Sequence, residues 1–464
     1  MRAARHVVAA AALALLAASG RGGAEDTAIA GPPVVDVRAF GARGDGATDD
    51  TDAIRRALLA VPAGGGTVIV PSGTYLIDPR SGARPMNLVG AHTAVIGRAG
   101  RSTLRLADGV YAPHDGGILL RNRDAVHGDD GIVVRGLRFD GNDRGNLGRR
   151  GRAESLLRCT RCRALLVEDC EFLDAKHHGI ATILGANLVV RRNRFYRISQ
   201  TEHAGDAVQL NGPEGAVVRD NVVVNSDEGI FCQHENDPPT AARGCALIRN
   251  RLQNLPAAAA CTAAGVPFAC CAGAGRGRTT CTAADASGCL CASGASTGSG
   301  LGVLALGARV TDNVLVRVGQ LSVQGVRAAG GFPTQSVLVA KNRLLDLAWN
   351  DRLSGSGAIA IVAADAPVRG IVVRENRVDR TRDAGIRLAS ARAPLTRVEV
   401  ADNVVTASCT AHAPCGGIQL ESGGAGSAIT GVTIARNAGA RLVVLPGRGP
   451  VHYRTSDTIR APAT

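Results

Sequence analysis

Short runs of β-branched and aliphatic residues recur along the chain, each closing on a polar pair and an asparagine. The runs end at Asn193, Asn221, Asn250, Asn313, Asn342, Asn376, Asn403 and Asn437. These asparagines stand 27 to 34 residues apart, except for one gap of 63 between Asn250 and Asn313. Between the runs comes a second phrase, a small residue followed by an aliphatic: Gly117-Ile118, Gly179-Ile180, Ala207-Val208, Gly229-Ile230, Gly385-Ile386 and Gly417-Ile418. No helical periodicity fills the intervals. A period of this length, built from strands and turns, predicts an all-β solenoid in which one chain winds as a parallel β-helix. Coils stacked about 4.8 Å apart would pair each strand with those above and below, and equivalent aliphatics would form one continuous core. Asparagine at the repeated turn suits a left-handed backbone, and its amide is expected to hydrogen-bond along the stack. The alternative is a β-sandwich with turn asparagines, but sandwich strands need not repeat one phrase.

A solenoid has an open first coil whose edge must be covered. The spacing predicts a cap helix over 48–61: Thr48, Asp49 and Asp50 supply start chemistry, and Ala53, Ile54, Ala57, Leu58 and Val61 share a face opposite Arg55 and Arg56. Glycines 64–66 end it, and Val68-Ile69-Val70 opens the strands. The β-helix is expected over 34–450, followed by a tail at 451–464. The long gap holds Cys261, Cys270, Cys271, Cys281, Cys289 and Cys291 in a Gly/Ala/Ser/Thr-rich stretch, which reads as a disulfide-stapled insertion over 256–300.

Ahead of the repeats, Arg2 and Arg5 precede an apolar run from Val7 to Ala18 and then small residues, the pattern of a secretory signal peptide over 1–24. Twelve apolar residues are too few to span a bilayer, and no cysteine offers a lipid anchor. The expected location is therefore extracellular or periplasmic, with no membrane anchor. There the 13 cysteines should be largely oxidised. Cys232 with Cys245, and Cys409 with Cys415, read as local pairs. Cys159 and Cys162 have the spacing of a zinc or redox pair but lack a matching second pair, and the odd total leaves one thiol over. Net charge is +13, carried by 51 arginines against two lysines, Lys176 and Lys341. A positive field favours anionic partners, while scattered arginines argue against nucleic acid. With 7 Phe, 4 Tyr and 1 Trp, a recognition site must be mostly polar.

Aligning coils on the small-aliphatic phrase places His178, Asp206 and Glu228 in one column. His177 and Asp227 stand one place back, Lys176 and His203 lie further back on the same turns, and Gln209, His234 and Glu235 follow. Four of the chain's 10 histidines fall in this region, which singles it out.

The opening residues carry a resemblance. Val35-Asp36-Val37, Phe40-Gly41-Ala42, Gly44-Asp45-Gly46, Thr48-Asp49-Asp50-Thr51, Ala53-Ile54, Gly64 to Gly66, Val70-Pro71, Gly73 and Tyr75 closely resemble the start of the pectate lyase superfamily, of the rhamnogalacturonase and epimerase-like kind. With the later coil phrases the resemblance covers about residues 34 to 440. It implies a right-handed parallel β-helix with an N-terminal helical cap, and an acidic, uronate-containing polysaccharide as partner. It does not fix an activity, because hydrolases, lyases, epimerases and phage tailspikes share the scaffold. The chain lacks the Gly-His-Gly and Arg-Ile-Lys of polygalacturonase-type relatives and the Asp-Pro-His of epimerase types. Asp129-Asp130 reads as a turn.

For such a substrate two chemistries fit the column. Hydrolysis needs two carboxyl groups about 5 to 5.5 Å apart for retention or about 6.5 to 9.5 Å for inversion, and Asp206 with Glu228 or Asp227 would supply them. β-Elimination, or related chemistry at C5 of a uronate, needs a cation, a base and an acid. Lys176, His177, His178 and His203 are the candidates, with the three carboxylates orienting them or holding Ca²⁺ through hard oxygen ligands. Gln209, His234 and Glu235 would contact substrate. β-Elimination is the leading expectation. The competing class is a non-catalytic carbohydrate-binding, adhesive or structural β-helix.

Overall fold

The computed structural model describes residues 32–79, 87–110, 118–146, 155–199, 205–226, 228–254, 300–326, 331–347, 357–381, 383–406, 416–445 and 447–456. The expected signal peptide, the insertion apart from Gly300, the Cys409–Cys415 pair, His203 and Asp227 all lie outside these residues.

Among the described residues the coils wind through three parallel sheets of 14, 12 and 12 strands, a full coil giving one strand to each. One turn of the winding runs through Ala186–Arg191, Arg194–Ile198 and Asp206–Asn211 before Glu214–Arg219 re-enters the first sheet beside Ala186–Arg191. The all-β parallel solenoid is as the periodicity predicts, with the right-handed winding that parallel crossovers take. Its interior is filled by aliphatics in register, and by Phe139, Phe172 and Phe195, whose rings stack at 4.7 and 4.9 Å up the second sheet.

The repeated asparagines form the expected ladder. The backbone N–H and side-chain amide of Asn193 both donate to Oδ1 of Asn221, at 2.9 and 3.1 Å, and the pattern continues through Asn250, Asn313, Asn342, Asn376 and Asn403 to Asn437. One expectation is corrected. The left-handed backbone belongs to the residue before each asparagine, such as Arg192 (φ 55°), Asp220 (φ 58°) and Asp402 (φ 57°). The amide is committed to the buried ladder, so the sharp bend falls on the exposed polar neighbour. Cys170 takes the asparagine place at the foot of the ladder, where its N–H donates to Asn193 Oδ1. It is the free thiol among the described cysteines, and burial pushes its pKa up to about 12. Cys159 and Cys162 are joined by a disulfide, which leaves them neither a zinc pair nor a free dithiol, and Cys232 pairs with Cys245 as expected.

The cap helix is shorter than predicted, Thr51–Leu59, because Asp45–Asp49 forms a strand beside Gly73–Ile77. Asp49 Oδ1 accepts from Thr51 N and Oγ1, at 3.0 and 2.5 Å, while the Asp50 carboxylate turns away to accept from Arg43 N and Gly44 N. Ala53, Ile54, Ala57 and Leu58 are buried on the core, and Val61 just beyond the helix joins them. The first strand is Val34–Asp36, which pairs with Gly66–Val70 and so precedes the strand expected to come first. At the other end Val451–Ser456 pairs with Ala428–Ala435, extending the first sheet into the stretch expected as a tail.

Candidate functional site

The third sheet presents the candidate residues on adjacent strands: Ser155–Thr160, His178–Ile183, Asp206–Asn211 and Glu228–Gln233. Ser155 is in register with His178, and Asp206 with Glu228. His178 and Asp206 stand two places before Ile180 and Val208, which pair. The column inferred from the small-aliphatic phrase is therefore present, one rung per residue, about 4.8 Å apart.

His178 and Asp206 are in direct contact. Asp206 N donates to His178 Nδ1 at 2.9 Å, and Asp206 Oδ2 lies 3.5 Å from the same nitrogen. Because Nδ1 accepts from backbone, the ring proton of neutral His178 sits on Nε2. Both residues are closed off, at 4% and 2% exposure. Burial, then the charges of His177 and Arg158, hold the His178 pKa well below the ordinary 6.5. His177 packs edge-on against it, with ring centroids 3.9 Å apart. His177 is half-buried, its Nδ1 has no hydrogen-bond partner among the described residues, and burial lowers its pKa to about 4. Gly205 lets the next turn pass close to the His177 backbone, since a Cβ there would meet the His177 carbonyl oxygen at 1.9 Å. Lys176 is buried and Nζ donates to Asn146 O at 3.2 Å. Glu228, half-buried, completes the column on the next rung.

Side chains alternate across a strand, and Leu157, Ile180, Val208 and Ile230 face the core. Arg158, Ala181, Gln209 and Phe231, paired in sequence across the sheet, consequently line its outer face. Gln209 thus lies half-buried on that face, flanked by the buried Ala181 and Phe231. The Phe231 ring covers Gly302 on the following rung, where a Cβ would meet its Cε1 at 2.1 Å. Arg158 and Phe231 are additions to the residues singled out from sequence. The signal that would have found them is the position directly after each core aliphatic.

The other two candidates stand apart. His234 lies in the turn that leaves the third sheet, buried, with Nδ1 accepting from Ala242 N at 3.0 Å and its ring against Phe332. Burial lowers its pKa to about 4. Glu235 accepts from Asn236 N and Asp237 N, shaping its own turn in the hairpin of Glu235–Asn236 with Pro239–Thr240. Among the described residues no group of three His, Cys, Asp or Glu side chains converges as cation ligands would, so Ca²⁺ is assigned no step in the chemistry.

A long parallel coil that gathers an imidazole pair and carboxylates where its third-sheet strands begin, with an arginine on that sheet's outer face, defines a β-helix protein with a polar site on its third sheet. The family model of rhamnogalacturonase A/epimerase, pectate lyase-like, matches residues 34–245. Over this part the chain is similar to that family, and its described residues wind as a right-handed parallel β-helix. Alginate lyase 7 of Azotobacter vinelandii is 40% identical over 109 residues, 23% of this chain and 12% of that protein, so the chain spans only a small part of this relative's length. Among solved structures, the A-module of mannuronan C-5 epimerase AlgE6 from Azotobacter vinelandii superposes with a TM-score of 0.51 at 17% identity, covering 91% of this chain and all of that one. The family 28 exopolygalacturonase of Yersinia enterocolitica gives 0.52 at 13% identity, covering 91% and 78%. These two likenesses concern the fold.

Proposed function

We propose that the protein acts on an acidic, uronate-containing polysaccharide outside the cytoplasm, by β-elimination or related proton transfer at C5. The observation that carries this reading is the contact of His177 with the buried His178–Asp206 pair at the start of the third-sheet strands, with Arg158 on the outer face of that sheet. Arg158 supplies the cation for the sugar carboxylate, lowering the cost of building negative charge at C5. His177 is the base: it is only half-buried, and at neutral pH its ring is uncharged. His178 holds its Nδ1 on the backbone and offers Nε2–H as a donor, with Asp206 fixing the geometry. Glu228 and Lys176 flank the site, and Gln209 with Phe231 forms the floor on which a sugar rests. A relative supports the substrate class, since an alginate lyase is 40% identical to this chain over 109 residues.

The test is incubation with alginate, polygalacturonate and neutral glycans, with and without Ca²⁺, reading both unsaturated ends by ultraviolet absorbance and new reducing ends. Unsaturated product is expected from a polyuronate, with turnover about 100-fold lower or less in His177→Gln. Reducing ends without unsaturation would move the chemistry to hydrolysis by Asp206 and Glu228. No product from any glycan would leave a carbohydrate-binding or adhesive module.

A further inference from the structure

The strands that begin at the column end, six residues or about 20 Å later, at the turns into the first sheet. There the stacked turns enclose an open groove of about 560 Å³. Its lining includes Arg161, Arg163 and Arg243 against one carboxylate, Glu214. We propose that this groove is a second binding site, for a segment of carboxylate-bearing polysaccharide lying along the coil axis. The inference rests on the substrate class proposed above and adds a place where the polymer is held apart from the chemistry.

Three features support it. The guanidinium groups of Arg161, Arg163 and Arg243 make no hydrogen bond or ion pair with any described residue. Several arginines elsewhere on the coils are instead paired with neighbouring carboxylates: Arg192 with Asp169, Arg249 with Asp220, Arg380 with Asp346 and Arg436 with Asp402. The groove therefore sets three arginines against the single carboxylate of Glu214, an excess of two positive charges in a concave wall, where low-dielectric surroundings strengthen their field. The second feature is spacing. Arg163, Ala186, Glu214 and Arg243 occupy one register column, so Arg163 and Arg243 are three rungs, about 14 Å, apart. That spacing suits a polymer with charges repeated along its length, whereas one small anion meets a single guanidinium. The third is the apolar part of the lining, where Pro238, Pro239 and Phe332 offer surface to the C–H face of a sugar ring. Phe332 is steadied by its contact with His234 at 5.4 Å. The buried His234 thus supports the groove's wall from behind.

Titration of the full chain with oligomannuronate and oligogalacturonate tests this, with neutral dextran as control. The Arg161→Gln/Arg163→Gln/Arg243→Gln variant is expected to bind about 10-fold more weakly or worse, with a flatter dependence on salt. Arg243→Gln alone should lose part of this, and circular dichroism should be unchanged because Arg163 and Arg243 are exposed. Undiminished uronate binding in the triple variant overturns the groove. Equally tight, arginine-dependent capture of a single-stranded oligonucleotide overturns its assignment to a glycan. Arginine-dependent binding by a protein that turns over no glycan sustains the groove while removing the catalytic reading, and turnover without arginine-dependent binding does the reverse.

Discussion

At the scale of single residues, the coils are pinned by groups that have no solvent to fall back on. Asn313 is fully buried; it accepts from Asn250 N and Nδ2 and donates to Asn342 Oδ1 and Leu247 O. Asn313→Ala strands those partners without water, and a loss of about 3 kcal/mol is expected, read as a lower denaturation midpoint. Asn313→Asp should be at least as damaging, because an ionised carboxylate would face Leu247 O and Asn342 Oδ1. The site histidines give a second expectation. His177 and His234 have folded pKa values of about 4 against an ordinary 6.5, so between these limits the unfolded chain binds more protons than the folded one. Stability is then full above about pH 6.5, falls as pH drops toward about 4, and levels below it as far as these groups are concerned. Thermal midpoints measured across this window should show the decline, and His177→Gln should flatten it. The ladder was legible in the sequence because identical residues at one period mark stacked turns. The bend on the preceding residue was not, since Arg192, Asp220 and Lys341 share no side-chain chemistry and only the backbone angle unites them.

At the scale of elements, the cap helix shows how an exposed sheet edge is managed. Its apolar face covers the end of the core, and Arg55 points away to pair with Asp52 at 2.8 Å. Ile54→Asp would place a charge at a position 2% exposed. The expected outcome is a smaller soluble fraction and concentration-dependent scattering, because the first coil's strands lose their cover. The helix was readable from its 3.6-residue pattern, though its start was not: Asp49 and Asp50 both carry capping chemistry, and only the strand Asp45–Asp49 decides between them. The candidate column was equally readable, since the small-aliphatic phrase sets register. What the phrase could not reveal was burial. His178 and Asp206 look like any polar residues before a strand, and their closure depends on neighbouring turns that no local pattern describes. His234 and Glu235 were grouped with the site by nearness in sequence, yet a six-residue strand carries them to its other end.

At the scale of the whole molecule, the parallel stack makes each coil answer only to the coils above and below. The join between Asn254 and Gly300 exploits that independence. Both residues line one small cavity with Ser226 and Gly229. Asn254 N is bonded to Val316 O on one side of the join, and Gly300 O receives Ile230 N on the other. The winding is thus closed across a point where 45 residues of sequence depart and return. That point is a splice port: the described strands on either side of it keep their register, and it lies beside Glu228, at the entrance to the third sheet. A lineage carrying this scaffold is free to rewrite the spliced text at that address and so change what the molecule meets, while the spool on which it is wound stays the same.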